Sequence, residues 1–402
     1  MNKKNLKMKP VSIDYMEQYN ALLRYVFQVT EQELSSIGWK EKEIIRAKYP
    51  TMEKADVIGW FDNDTLVSQV AVYPMKVRIF GKTYKMGGLT GVGTYPEYSN
   101  LSLMHKLLEQ ALKNMQKREE SICYLYPYSI PYYRRKGWEI ISDKMTYEIK
   151  DYQLPKKRQV LGHVRRVKTD SEEIKKTYEK YAMQTHGAIL RDDLAWNEYW
   201  LWDSDDIMGA IYYNENDEPD GYLIYWIENE VFHIKDMIFN NEDARTGLWN
   251  FVSAHFSMVD EVIGDTYTDE PLAFLLEDAS IKETISPYYM ARIVDFEAFI
   301  KQYPFKPDVI DREWKFTLTD PIMECNQGSF LLKISKEGKG EAIKINEVCK
   351  DEISIQTMTT MLMGYKRPDY LFKIGRILAS DNIIDMLEDA IEQQTPYISD
   401  YF

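Results

Sequence analysis

The sequence predicts an α+β, or mixed α/β, protein of three domains. At 402 residues the chain exceeds what one ordinary core supports. Short runs of β-forming residues alternate with segments whose apolar residues recur at three- and four-residue steps. Polar, proline-bearing stretches at 151–158 and 285–287 then divide the chain into 1–150, 151–286 and 287–402.

In order, residues 15–26 and 31–48 read as two N-terminal helices. Strands are expected at 57–61 and 66–73 around the turn Asp62-Asn63-Asp64. The runs 77–80 and 83–86 flank Gly81-Lys82, a hairpin signal. A strand at 89–94 stops at Tyr95-Pro96, and a polar turn from Glu97 to Asn100 opens a helix. The apolar face of that helix is Leu103, Met104, Leu107, Leu108, Ala111, Leu112 and Met115. Another strand follows at 122–126. The second domain repeats the order faintly, with strands at 221–227 and 231–239, a polar turn at 240–243 and a helix at 244–255, which points to an internal duplication. The third domain has strands at 313–319, 328–334 and 342–345, then helices at 355–363 and 383–391.

Composition narrows the function. With 45% hydrophobic and 28% charged residues the chain is of the folded soluble class. A net charge of −14 argues against nucleic acid as a partner and is compatible with a cationic substrate. Cys123, Cys325 and Cys349 form no CxxC, so reduced thiols and a cytoplasmic location are expected. The basic N-terminus has no apolar core behind it, and no run approaches the roughly 20 apolar residues of a membrane span. The five scattered histidines form no ligand pair, so no metal is expected.

Three constellations could carry chemistry. The strand–turn–helix at 90–112 leaves backbone N–H groups unpaired at a helix start, a cradle for phosphate or pyrophosphate, with donors from Ser99 to Met104. An ordinary connection capped by Ser and Asn is the competing explanation. The segment PYSIPYYRRKGW, 127–138, offers a tyrosine hydroxyl as an acid, and its adjacent cations are expected to lower that hydroxyl's pKa. Finally, the last residues (PYISDYF) are bulky and apolar, which predicts a tucked end whose carboxylate is held in place as a base.

These three, in this order, resemble the Eis (enhanced intracellular survival) family of N-acetyltransferases over essentially the whole chain. The resemblance rests on Thr-x-Pro-Glu-Tyr at 94–98, Tyr-Arg-x-x-Gly-aromatic at 133–138, Met-Leu-Met-Gly-Tyr at 361–365 and the Ser-Asp-Tyr-Phe end. It implies tandem GNAT (GCN5-related acetyltransferase) domains, the second binding no cofactor, followed by a domain like sterol carrier protein, in a hexameric homo-oligomer. It implies acetyl transfer from acetyl-CoA to primary amines that are aminoglycoside-like, polyamine-like or lysine side chains. By the same resemblance Tyr133, with Tyr132 as fallback, is the acid and the Phe402 carboxylate is the base. Val92, Gly93 and Thr94 would hold the pantetheine arm, and Ser99, Asn100, Leu101, Ser102 and Leu103 the pyrophosphate. Asp400 would help to hold a cationic amine.

The loop departs from the family, which has arginines at the positions of Ser99 and Asn100 and glycine at Ser102. Losing two charge-assisted contacts of roughly 1.5–3 kcal/mol each weakens affinity on the order of 10²–10⁴. A binding or scaffolding protein on a decayed acetyltransferase frame is therefore the alternative expectation, and the sterol-carrier-like domain would offer it an apolar pocket.

Overall fold

The computed structural model describes residues 5–30, 32, 48–200, 206–267 and 272–402. The helix expected at 31–48 lies outside these residues but for Gln32 and Lys48. The strands of the first third are β1 (Leu6–Pro10), β2 (Asp56–Asp62), β3 (Thr65–Ile79), β4 (Lys82–Thr94), β5 (Ile122–Leu125), β6 (Glu139–Ile140) and β7 (Asp143–Lys150). The middle contributes β8 (His163–Val167), β9 (Met208–Tyr213), β10 (Pro219–Glu228), β11 (Val231–Phe239), β12 (Glu261–Thr266), β13 (Lys282–Pro287) and β14 (Met290–Ile293). The last third adds β15 (Arg312–Thr319), β16 (Gly328–Ile334), β17 (Gly340–Ile345), β18 (Glu352–Ser354) and β19 (Ile377–Leu378).

They form three sheets, ordered β1-β2-β3-β4-β5-β14-β6, β13-β7-β12-β11-β10-β9-β8 and β17-β16-β15-β18-β19. The sheets do not break where the sequence divides. β7, expected in the first domain, pairs antiparallel with β12 and β13 in the second sheet. β14, expected in the third domain, lies between β5 and β6 of the first. Every residue of β14 is buried, as a strand enclosed within a sheet requires. Such exchange is a long-range pairing and leaves no local trace in the sequence.

Local chemistry otherwise accounts for the elements. The β3–β4 hairpin turns at Phe80-Gly81, one residue before the expected Gly81-Lys82, because Ile79 pairs with Lys82. Both turn residues have positive φ, 42° and 77°, the backbone of a type I′ turn. β4 runs unbroken from Lys82 to Thr94 where two strands are expected. Helix Leu103–Lys117 buries Leu107, Leu108, Ala111, Leu112 and Met115 against Val70, Val72 and Leu89 of the sheet. In the third sheet Phe316 and Phe330 meet Phe296 edge-on, and Trp314 stacks on Phe316.

One apolar core runs through all three sheets, from Tyr73 and Met75 through Tyr178 and Ile224 to Trp314 and Leu332. His186 stands at their junction. Its Nδ1 accepts from the Phe80 amide at 3.2 Å, so Nε2 carries the proton and donates to the Met363 carbonyl at 2.9 Å. Burial holds its pKa down to about 4, so the ring stays neutral.

The chain end threads this junction. The Tyr397 amide donates to the His186 carbonyl at 2.8 Å, and its hydroxyl to Asp236 Oδ1 at 3.0 Å. Arg191 Nε donates to Asp400 Oδ1 at 2.7 Å, and Arg191 Nη2 to Ser399 Oγ at 3.1 Å. Both charged side chains are buried. The guanidinium lies 3.8 Å and 3.9 Å from the ring centres of Tyr178 and Tyr199. The expectation that Asp400 holds a substrate amine is thereby corrected: its carboxylate is already closed by Arg191.

Replacing Arg191 by Met leaves the Asp400 carboxylate buried without its partner. Such a loss is expected to destabilise the fold by about 3–5 kcal/mol, measured by urea denaturation, with part regained in the Arg191→Met/Asp400→Asn double variant. Unchanged stability of the single variant would refute this role.

Candidate active site

A cleft of about 1160 Å³ opens where β4 and β5 separate. The two strands pair in parallel only at Met86–Ile122, Gly87–Cys123 and Gly88–Tyr124. β4 continues to Thr94 while β5 stops at Leu125, so the backbone of 89–94 keeps an edge with no described strand beside it. Such an edge can take an extended, amide-bearing ligand as an added strand. Where β4 turns away, its register with β3 shifts between Gln69 and Ala71. Gly91 there has φ +61°, and the Tyr19 hydroxyl sits 2.7 Å from where a Cβ would be, so any side chain would be strained and would displace that hydroxyl.

Beyond β4 the chain makes a short 3-10 turn, Pro96–Leu101, and then helix Leu103–Lys117. Ser102 joins them in the left-handed region, with φ 57° and ψ 25°, and its side chain makes no capping hydrogen bond. The helix start is thus not closed by its own loop, and its first N–H groups remain available to an anion. The equivalent turn of the second domain is closed. There the Asn241 side chain accepts from the Ala244 amide, the Tyr212 hydroxyl bonds Asp243, and the Tyr212 ring fills the space above Gly247.

The cleft brings together Val92, Gly93, Thr94, Ser99, Ser102, Leu103, Tyr133 and Phe402. Asn100 and Leu101 lie in the turn but are not among the lining residues. Tyr133 sits on the one-turn helix Ile130–Arg134, 6% exposed, edge-on to Tyr132 and Trp138. Burial pushes its hydroxyl pKa up, and Tyr132 and Cys123 add to this. The expected lowering by the neighbouring cations does not occur. Arg134 is taken by Glu139 at 2.8 Å, and the pull of Arg135 falls on Tyr132. Phe402 packs its ring on Gly88, 2.9 Å from a Cβ position there, with Tyr73 and Tyr289 at centroid distances of 6.1 and 5.5 Å.

The inner half of the cleft was not foreseen. Tyr19, Asn20, Arg24, Lys48, Tyr73 and Glu198 line it. Glu198 comes from helix Asp193–Trp200 of the second domain and is 7% exposed. It accepts from Thr51 Oγ1 at 3.2 Å and faces Lys48 Nζ at 3.5 Å. Burial first and the Glu198 charge second raise the pKa of Tyr19. The one sequence signal was an acid placed among aromatics, in Ala195-Trp196-Asn197-Glu198-Tyr199-Trp200. Among the described residues no group of three or more His, Cys, Asp or Glu could hold a metal, and no helix is long and apolar enough to cross a membrane.

Residues 7–141 match the acetyltransferase (GNAT) domain, residues 187–293 match a second acetyltransferase (GNAT) domain, and residues 296–399 match the sterol carrier protein domain. No curated protein sequence matches the chain. Among solved structures, a conserved protein of Enterococcus faecalis V583 superposes with a TM-score of 0.89 at 24% identity, over 99% of both chains. A GCN5-related N-acetyltransferase from Anabaena variabilis gives 0.86 at 20% identity, over 99% of this chain and 100% of that one. Eis1 from Mycobacterium abscessus gives 0.81 at 16% identity, again over 99% and 100%. The fold is therefore that of these proteins from end to end.

A side chain in the left-handed region costs about 1–2 kcal/mol relative to glycine. Ser102→Gly is expected to raise stability by about 1 kcal/mol in urea denaturation, whereas Ser102→Ala, which keeps the Cβ, should not. Equal effects of the two would show that Ser102 is not strained.

Proposed function

We propose that this Eis-like chain, two GNAT acetyltransferase domains followed by a sterol carrier protein domain, transfers the acetyl group of acetyl-CoA to a primary amine. The observation that carries the reading is one cleft holding a free β4 edge, an open helix start, a buried tyrosine and the last residue of the sequence. Acetyl-CoA would supply the acetyl group as a reactive thioester. The β4 backbone at Val92 to Thr94 fits its amide-bearing arm, and the turn at Ser99 to Leu103 fits its phosphates. The left-handed backbone at Ser102 supports this fit, because the chain keeps there the conformation that glycine would provide.

The Phe402 carboxylate takes the proton of the attacking amine, directly or through a water. Tyr133, kept protonated by burial, donates to the departing sulfur. Glu198, Tyr19 and Tyr73 shape the acceptor pocket. The second domain binds no CoA, a reading supported by its capped helix end and by the Tyr212 ring against Gly247. The acceptor is aminoglycoside-like, polyamine-like or a lysine side chain, and the assembly is a cytoplasmic homo-oligomer, a hexamer by resemblance. The alternative of an inert binding frame has less support, because the first domain leaves its helix end open where the second has closed its own.

Deleting Phe402 is expected to lower kcat by roughly 10²–10⁴ while acetyl-CoA binding by calorimetry changes little. Full activity of the truncated chain would remove the terminal carboxylate from the mechanism.

Tyr133→Phe should lower kcat with KM for acetyl-CoA nearly unchanged. Because burial raises the hydroxyl pKa above its usual value near 10, the acid form persists through the alkaline range. The kcat/KM profile should rise with pH as the acceptor amine loses its proton, with no fall below about pH 10. A fall at lower pH would assign the acid to another group.

A further inference from the structure

The turn at Ser99 to Ser102 carries no cation of its own, yet two cations reach it from a different segment. Resting on the acetyltransferase reading, we propose that Arg135 and Lys136 bind the phosphates of CoA and replace the charges missing from the turn.

Lys136 Nζ donates to His105 Nδ1 at 3.0 Å, and His105 lies in the first turn of helix Leu103–Lys117. That contact holds the ammonium beside the first turn of the helix. Arg135, Lys136, His105, Ser99 and Ser102 all line the cleft. Of the three consecutive cations, Arg134 is paired with Glu139. Neither Arg135 nor Lys136 has an ion-pair partner among the described residues, although the chain carries 64 acidic residues against 50 basic. Among the described lining residues Glu198 is the one acidic side chain, and Lys48 faces it. Two adjacent cations with no counter-charge repel each other. Burial, followed by the Arg135 charge, holds the pKa of Lys136 below its ordinary value. A phosphate between them relieves that repulsion and would be held by both.

The backbone that carries these side chains is fixed from outside the first domain. Arg292 Nη1 donates to the Lys136 carbonyl at 2.6 Å, and its Nη2 pairs with Asp320 of the third domain at 2.5 Å. Both charged side chains are fully buried. Gly137, with φ +95°, lets the chain pass over the guanidinium, where a Cβ would lie 2.6 Å from Nη1. The backbone at Lys136 is thus held in place before any ligand arrives, which spares the ordering entropy a mobile loop would lose.

The test is calorimetric titration of the full chain with CoA, dephospho-CoA and phosphate-free pantetheine. Lys136→Ala and Arg135→Ala should each weaken CoA binding about tenfold to a hundredfold, with Lys136→Arg near wild type. Their binding of pantetheine should match that of the wild type. Loss confined to CoA over dephospho-CoA would place the cations on the 3′-phosphate, and equal loss for both on the diphosphate; either supports the proposal. Variants that bind CoA as wild type does, or that lose pantetheine equally, overturn it and leave the acetyltransferase reading standing. A wild-type chain that binds no CoA at millimolar concentration overturns that reading as well.

Discussion

The cleft exists because β4 and β5 part after three residue pairs. A parallel pair that stays zipped leaves no backbone group for a ligand, and a helix packed over it would meet only side chains. Here the register shift opposite Gly91 turns β4 away, and the Tyr19 hydroxyl fills the one place a Cβ would go. The opening also gives Phe402 its seat. Its ring lies over Gly88, the last residue of β4 still paired with β5, so the tail fills the apex and leaves the mouth free.

What holds the tail is supplied by the second domain. Arg191, His186 and Asp236 each bond the last residues, and Glu198 enters the inner pocket from the same domain. A domain whose own cradle is closed by Asn241 and Tyr212 thus supplies the first domain's cleft with a wall and an anchor. The third domain acts in the same way on the outer half, through Asp320, Arg292 and the Lys136 carbonyl. Two buried ion pairs, Arg191–Asp400 and Arg292–Asp320, fix the two ends of one cleft. Buried pairs contribute little net stability against apolar replacements, but they specify geometry, and here both act on backbone that lines or reaches the site.

Much of the arrangement was legible in the sequence where the signal was local. The strand–turn–helix at 90–112, the YYRRKGW segment and the apolar tail each announced themselves through spacing and composition, and the structure gathers them in one cleft. Three things were not legible, for physical reasons. The exchange of β7 and β14 between sheets is decided by pairing across more than a hundred residues. The pKa of Tyr133 follows burial rather than the charges beside it in sequence, because Arg134 turns to Glu139 and Tyr133 turns inward. Asp400 reads as an acid near a chain end, open to a cationic amine, and only the fold reveals Arg191 waiting for it between two tyrosine rings.

The charge of the whole chain is a poor guide to its site for the same reason. A surplus of acids, −14 overall, invites the expectation of a cationic acceptor. Yet among the described residues the side chains lining the cleft include Arg24, Lys48, Arg135 and Lys136 against Glu198. The outer pair sits where phosphates would lie, and within the inner half Lys48 faces Glu198. Among the described residues the inner wall is built largely of Tyr19, Tyr73, Leu23 and Phe27 with Asn20 among them. In the proposed reaction an acceptor amine would meet the Phe402 carboxylate against these low-polarity walls. Burial in that setting disfavours an ammonium ion away from its partner and so assists loss of its proton to that carboxylate.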